Sequence, residues 1–354
     1  MKLIAFHLPQ FHRIVENDAW WGTGFTEWTN TSKARPLYPG HRQPKVPYEN
    51  YYYNLTDSSA RHWQALLAQS YGIYGFCYYH YWFNGKQLLE QPLKQILRLG
   101  APDLPFCLSW ANESWTRKWD GGPHQILMEQ TYGDENEWTQ HFYELLTAFR
   151  DERYIRVDGK PLFVIYRPGD IPRCTEMLDC WNRLARQNGL NGIYFVRTLG
   201  GFPLTNPDGF DADVEFEPHY TFAHSDSKYI FRSIKAENGQ DHLVTNYDHL
   251  WELILGRFPH GAEEGRKIIP GAFVNWDNTP RLGIRGSSTV AATPEKFEKY
   301  LSRQIERAQT VFKSDYLFIN AWNEWAEGAY LEPDQHSRFG YLEAVRNALK
   351  GKHL

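Results

Sequence analysis

Two glutamates three residues apart, Glu324 and Glu327, stand in the run Asn323-Glu324-Trp325-Ala326-Glu327-Gly328, directly after Trp322. Paired carboxyl groups are the reagents of glycosidic bond chemistry: one protonates the departing oxygen and the other supplies a base or nucleophile. The spacing lets one short turn, or a first helical turn, direct both acids into a single cavity. Two close glutamates more commonly form a solvated surface pair. Here the flanking indoles, asparagine and glycine argue for a reactive site instead. Glu113 is a rival, because Asn112-Glu113 repeats the Asn-Glu pair and can face Glu324 across a shared mouth. Of Glu215 and Glu217 only one is expected to point inward; Glu113 and Glu217 are assigned to sugar binding first and catalysis second.

Around these acids the chain collects side chains suited to sugars, whose C–H faces stack on rings and whose hydroxyls need fixed hydrogen-bond partners. The expected substrate-binding set begins with His7, Gln10 and Trp21, then Tyr79, His80 and Trp82. It continues with Trp110, Asn112, Glu113, Trp115 and Trp119, with Arg167, and with Glu217 and His219. Trp276, Asp277 and Asn278 follow, and Trp322, Asn323 and Glu332 complete it. Arg167 and Arg281 can meet an acidic group on a substrate or form structural salt bridges. His7, His80 and His219 suit hydroxyls better than a metal, since no pair has ligand spacing, and no metal or cofactor is expected.

To gather these residues, the chain needs elements that end on one face. Runs rich in β-branched and aromatic residues occur at Lys2 to Leu8, Ile73 to Tyr79, Pro105 to Trp110, Leu162 to Tyr166, Ile193 to Val196, Asp213 to Phe216, Ile268 to Phe273 and Tyr316 to Ala321. Helical patterns alternate with them at Asp57 to Ser70, Leu88 to Leu99, Asp134 to Phe149, Thr175 to Gln187, Tyr247 to Arg257, Pro294 to Gln309 and Tyr341 to Leu349, with Asp57, Asp134 and Thr293 as caps. Only Gly200 to Phe210, between the fifth and sixth strands, lacks a helix. This order predicts a single (β/α)8 TIM barrel over residues 1–354, with the site at the strands' C-terminal ends. Insertions after strands one and six, Pro9 to Thr56 and Pro218 to Asn246, are long enough to build that site.

Composition narrows the partners. A net charge of −4 without a Lys/Arg stripe excludes a nucleic-acid partner, and a neutral or weakly charged glycan fits better. Aromatic residues reach 16% of the chain, including 14 Trp, which supplies stacking rings beyond a core's needs. The N-terminal apolar run is too short for a signal peptide and no stretch is long enough to span a bilayer, so a cytoplasmic location is expected. Cys77, Cys107, Cys174 and Cys180 show no paired spacing and read as free thiols. Asp211-Ala212-Asp213 has the spelling of a metal–diphosphate motif, but it precedes a strand at the face opposite the site.

At the same residues the sequence resembles a known family. His7-Leu8-Pro9-Gln10-Phe11-His12, Trp20-Trp21-Gly22, Phe25-Thr26-Glu27-Trp28-Thr29-Asn30, Gly75 through Phe83, Trp110-Ala111-Asn112-Glu113 and Asn320 through Gly328 resemble the WbsX-like proteins of bacterial polysaccharide gene clusters, over nearly the whole chain. That family carries a glycosyltransferase label yet is similar to glycoside hydrolase family 99, endo-acting α-mannosidases and α-mannanases on a (β/α)8 barrel. The resemblance implies that Glu324 acts as base on a sugar 2-hydroxyl, giving a 1,2-anhydro sugar, and that Glu327 protonates the leaving oxygen and then activates water. It implies a retaining hydrolase for an α-linked manno-configured or related polysaccharide. Ala326 replaces a larger polar residue of family 99, and the Asn30 to Tyr53 loop is particular to the WbsX group. A glycosyltransferase of O-antigen or capsular polysaccharide synthesis and a non-catalytic carbohydrate-binding protein are the alternatives.

Overall fold

Short runs buried at nearly every position mark strands enclosed on both sides, and the chain has them in regular order. In the computed structural model, which describes residues 1–117, 125–203, 207–225, 230–259, 261 and 266–351, these are β1 (Lys2–His7), β2 (Ile73–Phe83), β3 (Phe106–Trp110), β4 (Lys160–Ile165), β5 (Tyr194–Leu199), β6 (Ala212–Glu215), β7 (Lys267–Ile269), β8 (Gly271–Phe273) and β9 (Tyr316–Asn320). All nine run parallel in the order β7-β6-β5-β4-β3-β2-β1-β9-β8. Since β7 and β8 are separated only by Pro270, the two ends of this path meet and the sheet is a nearly closed barrel.

The seventh predicted strand, Ile268 to Phe273, is thus two pieces. Proline lacks the N–H that a continuous ladder needs, so Pro270 divides the stave. β7 pairs with β6, and β8 pairs with β9. Gly271 closes the gap: a Cβ there would lie 2.0 Å from the Glu215 carbonyl oxygen, so no side chain fits.

Among the described residues seven helices surround the barrel: α1 (Ser58–Tyr71), α2 (Gln91–Leu99), α3 (Glu135–Phe149), α4 (Cys174–Gln187), α5 (Tyr247–Gly256), α6 (Pro294–Thr310) and α7 (Gly340–Leu349). As expected, none follows β5 among the described residues. Asp134 accepts from the Asn136 N–H at 2.9 Å, and Glu137 returns the bond to the Asp134 N–H at 2.8 Å, a complete capping box. Thr293 caps α6 through the Lys296 N–H, whereas Asp57 stands at the start of α1 without a capping bond. The second helix begins at Gln91 rather than Leu88, because Leu88 pairs back onto Tyr81 and Pro92 sets the first turn. Between sheet and helices lies one continuous apolar core, in which Trp181 contacts Trp110, His141, Phe163 and Phe195.

Both long insertions sit at the strands' C-terminal side. The first carries the short helices Val15–Trp21 and Glu27–Lys33. The second carries the helix His219–His224 and strands Arg232–Lys235 and Asp241–Asn246, which form a side sheet with Ser287–Val290. All four cysteines are buried and free. No helix among the described residues is long and apolar enough to cross a membrane.

Candidate active site

After β9 the chain forms a two-residue strand, Asn323–Glu324, and one 3-10 turn, Trp325–Glu327, ending at Gly328 with φ +63°. Here the Glu327 carbonyl accepts from the Asp277 N–H at 2.6 Å, and a Cβ on Gly328 would lie 2.9 Å from Cβ of Asp277. Only glycine combines that φ with that contact. The turn brings Glu324 and Glu327 into one cavity of about 400 Å³ at the C-terminal mouth of the barrel.

Both acids meet the same cation. Arg281 donates through Nη1 to Glu327 and through Nη2 to Glu324 at 3.1 Å, while Nε and Nη2 donate to Glu27 at 3.0 and 2.8 Å. One guanidinium therefore faces three carboxyl groups, and full ionisation would leave the set two charges negative in a partly dry cleft. Burial, then the neighbouring Glu327, pushes Glu324 well above the ordinary carboxyl range, against the pull of Arg281. Two carboxyl groups this close resist ionising together, so a proton shared between them is favoured, which is the starting condition for acid–base chemistry. Burial also raises Glu113, opposed by Arg167 at 2.9 Å.

The two Asn-Glu pairs have a common geometry. Asn323 Oδ1 accepts from the Leu8 N–H at 2.7 Å and its Nδ2 donates to the Leu8 carbonyl at 3.0 Å. Asn112 brackets Arg167 likewise, accepting at 2.7 Å and donating at 2.8 Å. Each amide mimics a peptide group and ties its strand end to the next strand, which leaves the following glutamate facing the cavity. Asn112 and Asn323 are therefore clasps, both fully buried, rather than sugar contacts.

Gln10, Trp21, Tyr79, Glu113, Trp115, His219, Trp276 and Asn278 line the cavity with the two acids, and Trp119 lies outside the described residues. The remaining expected contacts face elsewhere. β2 runs on to Phe83 instead of ending at Tyr79, so strand alternation turns Tyr79 and Tyr81 into the cavity and His80 and Trp82 away from it. His80 bonds His141 at 2.9 Å and Trp82 stacks on His141, while Trp110, on the helix side of β3, donates to the Trp82 carbonyl. His7 points out to Gln64 of α1 at 3.1 Å. Burial lowers His7 and His219 to about 4 and His80 to about 3, so all three are neutral imidazoles.

Glu217 is also displaced from the sugar-binding role. It is buried against Arg257, which Glu215 also meets at 3.3 Å; contrary to the expectation that the two diverge, residues two apart turn to the same side and share one ion cluster. Arg167 is held by Glu113 and Asp170 and does not reach the cavity wall. Asp277 is buried behind the site: Oδ2 accepts from Gln43 at 2.7 Å and contacts His41 Nε2 at 2.9 Å. Its Oδ1 accepts from Thr279, at the start of the short helix Thr279–Leu282 that carries Arg281. The Asn30 to Tyr53 loop thereby supports Arg281 from the rear. Glu332 receives Trp322, Trp325, Gln64 and Tyr53 at 3.0, 2.7, 2.8 and 2.9 Å, bracing both indoles of the segment that carries the two acids.

Sequence reasoning left out Glu27, Tyr81, Tyr166, Phe216 and Lys33, and it left Arg281 undecided; all six line the cavity. Glu27 sat within a quoted motif, but nothing local marked its role: it is fully buried and its partner lies 254 positions away. Asp213 pairs bidentately with Arg197, and Asp211 accepts from the Phe195 N–H and Lys160, which leaves neither for a metal–diphosphate. Among the described residues no group of three His, Cys, Asp or Glu is placed to hold a metal.

Comparison with solved structures agrees on the fold. The family 99 endo-α-mannosidase from Bacteroides thetaiotaomicron superposes with a TM-score of 0.56 at 13% identity, over 98% of this chain and 96% of that one. A glycoside hydrolase-like protein superposes with a TM-score of 0.61 at 12% identity, over 98% and 93%. In sequence, the uncharacterized protein WxcX of Xanthomonas campestris pv. campestris is 38% identical over 351 residues. The match takes in 98% of this chain and 49% of WxcX, so the chain spans about half the length of that relative. The family profile described as glycosyltransferase WbsX matches residues 3–345, and the chain, with its paired acids and barrel included in that match, belongs to the WbsX family.

Proposed function

We propose that this protein is a retaining glycoside hydrolase that cleaves an α-linked, manno-configured or related bacterial polysaccharide through a 1,2-anhydro sugar. One observation carries the reading: Glu324 and Glu327 project from a single turn into one aromatic-lined cavity and share the guanidinium of Arg281. Glu324 takes the proton from the sugar's 2-hydroxyl, O2 attacks C1, and the C1–O bond to the leaving group breaks as Glu327 protonates that oxygen. In the second half Glu327 removes a proton from water, whose oxygen bonds to C1. The C1–O2 bond then breaks and Glu324 returns the proton to O2. Tyr79, Tyr81, Tyr166 and Trp276 supply phenol and indole faces for the ring.

The test uses α-mannosides and bacterial polysaccharides with the wild type, Glu324→Gln and Glu327→Gln. Each substitution is expected to lower turnover at least about 10³-fold, the upper part of the range for acid–base groups, with the fold unchanged by circular dichroism. Full activity in both variants sinks the reading. The family's description supports a transferase as the second reading, in which an acceptor hydroxyl replaces water. Products formed only with a sugar-nucleotide donor favour it, and binding without turnover in the wild type favours a carbohydrate-binding protein.

A further inference from the structure

The cavity is electrically lopsided. Its floor holds Glu27, Glu324 and Glu327 around Arg281, whose single charge is already shared among them through four hydrogen bonds, so an anionic group on the sugar being cleaved would meet an excess of carboxyl groups. The rim is the reverse. Lys33 ends the helix Glu27–Lys33, two turns from Glu27, lines the cavity and is exposed, and among the described residues no carboxylate lies within ion-pair distance of its ammonium. A lysine in a last helical turn suits the helix dipole anywhere. That accounts for a cation here but not for its place on the cavity wall.

A second donor stands on the rim from another element. Asn278 lines the cavity, and its Oδ1 is fixed by the Ser287 N–H at 2.8 Å. An amide with its oxygen so engaged presents Nδ2, a donor only, on its other side. Asn30, on the same helix as Lys33, brings a further amide to the wall. An ammonium and amide donors without a facing acid match the oxygens of a carboxylate or phosphate.

We propose that the rim between Lys33 and Asn278 is a subsite for an anionic substituent, a carboxylate or phosphate, on the sugar neighbouring the one that is cleaved, so that the substrate is an acidic glycan. This departs from the expectation of a neutral or weakly charged substrate, and it rests on the reading of the cavity as a glycan site. A neutral ring fills the carboxylate-lined floor, and its acidic neighbour sets the register of the chain by pairing at the rim.

The test measures binding by titration calorimetry on the full chain with α-mannobiose, its two mono-uronates (carboxylate on either ring) and the corresponding 6-phosphates. At least one acidic probe is expected to bind about tenfold tighter than the neutral one, and the gap narrows as salt rises from about 20 to about 300 mM. In Lys33→Gln the advantage falls to about onefold, and in Lys33→Glu it reverses. Asn278→Asp keeps the acceptor for the Ser287 N–H but replaces the donor with a charge, so it too weakens the acidic probes. Preference for the carboxylate or for the phosphate series identifies which anion the rim takes. Acidic probes that bind no tighter than the neutral one, or an advantage that survives Lys33→Glu, overturn the proposal. Hydrolysis of the neutral probe is followed separately: charge preference without hydrolysis counts against the hydrolase reading alone, and hydrolysis without preference counts against this one alone.

Discussion

Arg281 is the residue on which the acids depend. With Glu27 fully buried and Glu324 nearly so, three carboxyl groups have one cation among them. Removing one partner of a buried ion cluster leaves uncompensated charge, which typically costs about 3–5 kcal/mol. Arg281→Met is therefore expected to lower the unfolding free energy in urea by about that amount and to abolish turnover. Arg281→Lys keeps the charge, but a single ammonium cannot reproduce the fork that reaches Glu27, Glu324 and Glu327 together. It should recover most of the stability and little of the activity. Gly328→Ala acts at the same turn by another route. Its φ of +63° and the 2.9 Å approach to Asp277 predict a loss of about 1–3 kcal/mol with a displaced Glu327, seen as a lower melting temperature and a fall in kcat.

At the scale of the element, caps and clasps separate stability from activity. Asp134 closes a capping box on α3, on the helical layer away from the cavity. Asp134→Ala is expected to cost about 1 kcal/mol in chemical denaturation and to leave kcat and KM unchanged. Asn323 and Asn112 also make backbone-directed bonds, but at the strand ends that aim Glu324 and Glu113. Asn323→Ala should therefore reduce kcat much more steeply than a cap loss of equal ΔΔG. Equal effects of the two substitutions on kcat would show that the clasp does not aim the acid. The same pair of elements shows why residue type alone misassigned several contacts. Alternation along β2 and β3 sends His80, Trp82 and Trp110 to the helix layer, while their neighbours Tyr79 and Tyr81 reach the cavity.

Across the whole molecule, barrel closure stores buried acids whose titration reports on folding. Burial raises Glu332 to about 7, against four hydrogen bonds that favour its charged form, and burial also raises Glu324. A carboxyl whose folded-state value lies above its unfolded value of 4.5 adds stability that is complete below about pH 4.5 and is lost as pH rises through about 7. The unfolding free energy should thus fall between these limits, with Glu332 responsible for up to about 3 kcal/mol. Glu332→Gln should flatten the profile in that window. It should also lower stability overall, because an amide NH₂ must face an indole N–H on one side. A decline as steep in the variant as in the wild type would remove Glu332 from this account.

The alternation of strand and helix patterns, the missing helix after the fifth strand, the two long insertions and the free cysteines were all legible in order and composition, because local periodicity records which face of an element is buried. The Glu324–Glu327 pair was legible for a related reason: a three-residue spacing beside glycine keeps both acids on one turn wherever the strand ends. Which way a strand-end side chain points was not, since extending β2 by a few residues reassigns every ring along it. Nor was the company the acids keep. Arg281 meets Glu27 across 254 positions, His41 meets Asp277 across 236, and Lys33 and Asn278 come to one cavity wall only after the barrel has closed. Local pattern thus determined the scaffold and the pairing of Glu324 with Glu327, while long-range contacts, to which no sequence spacing corresponds, decided the charge of the site.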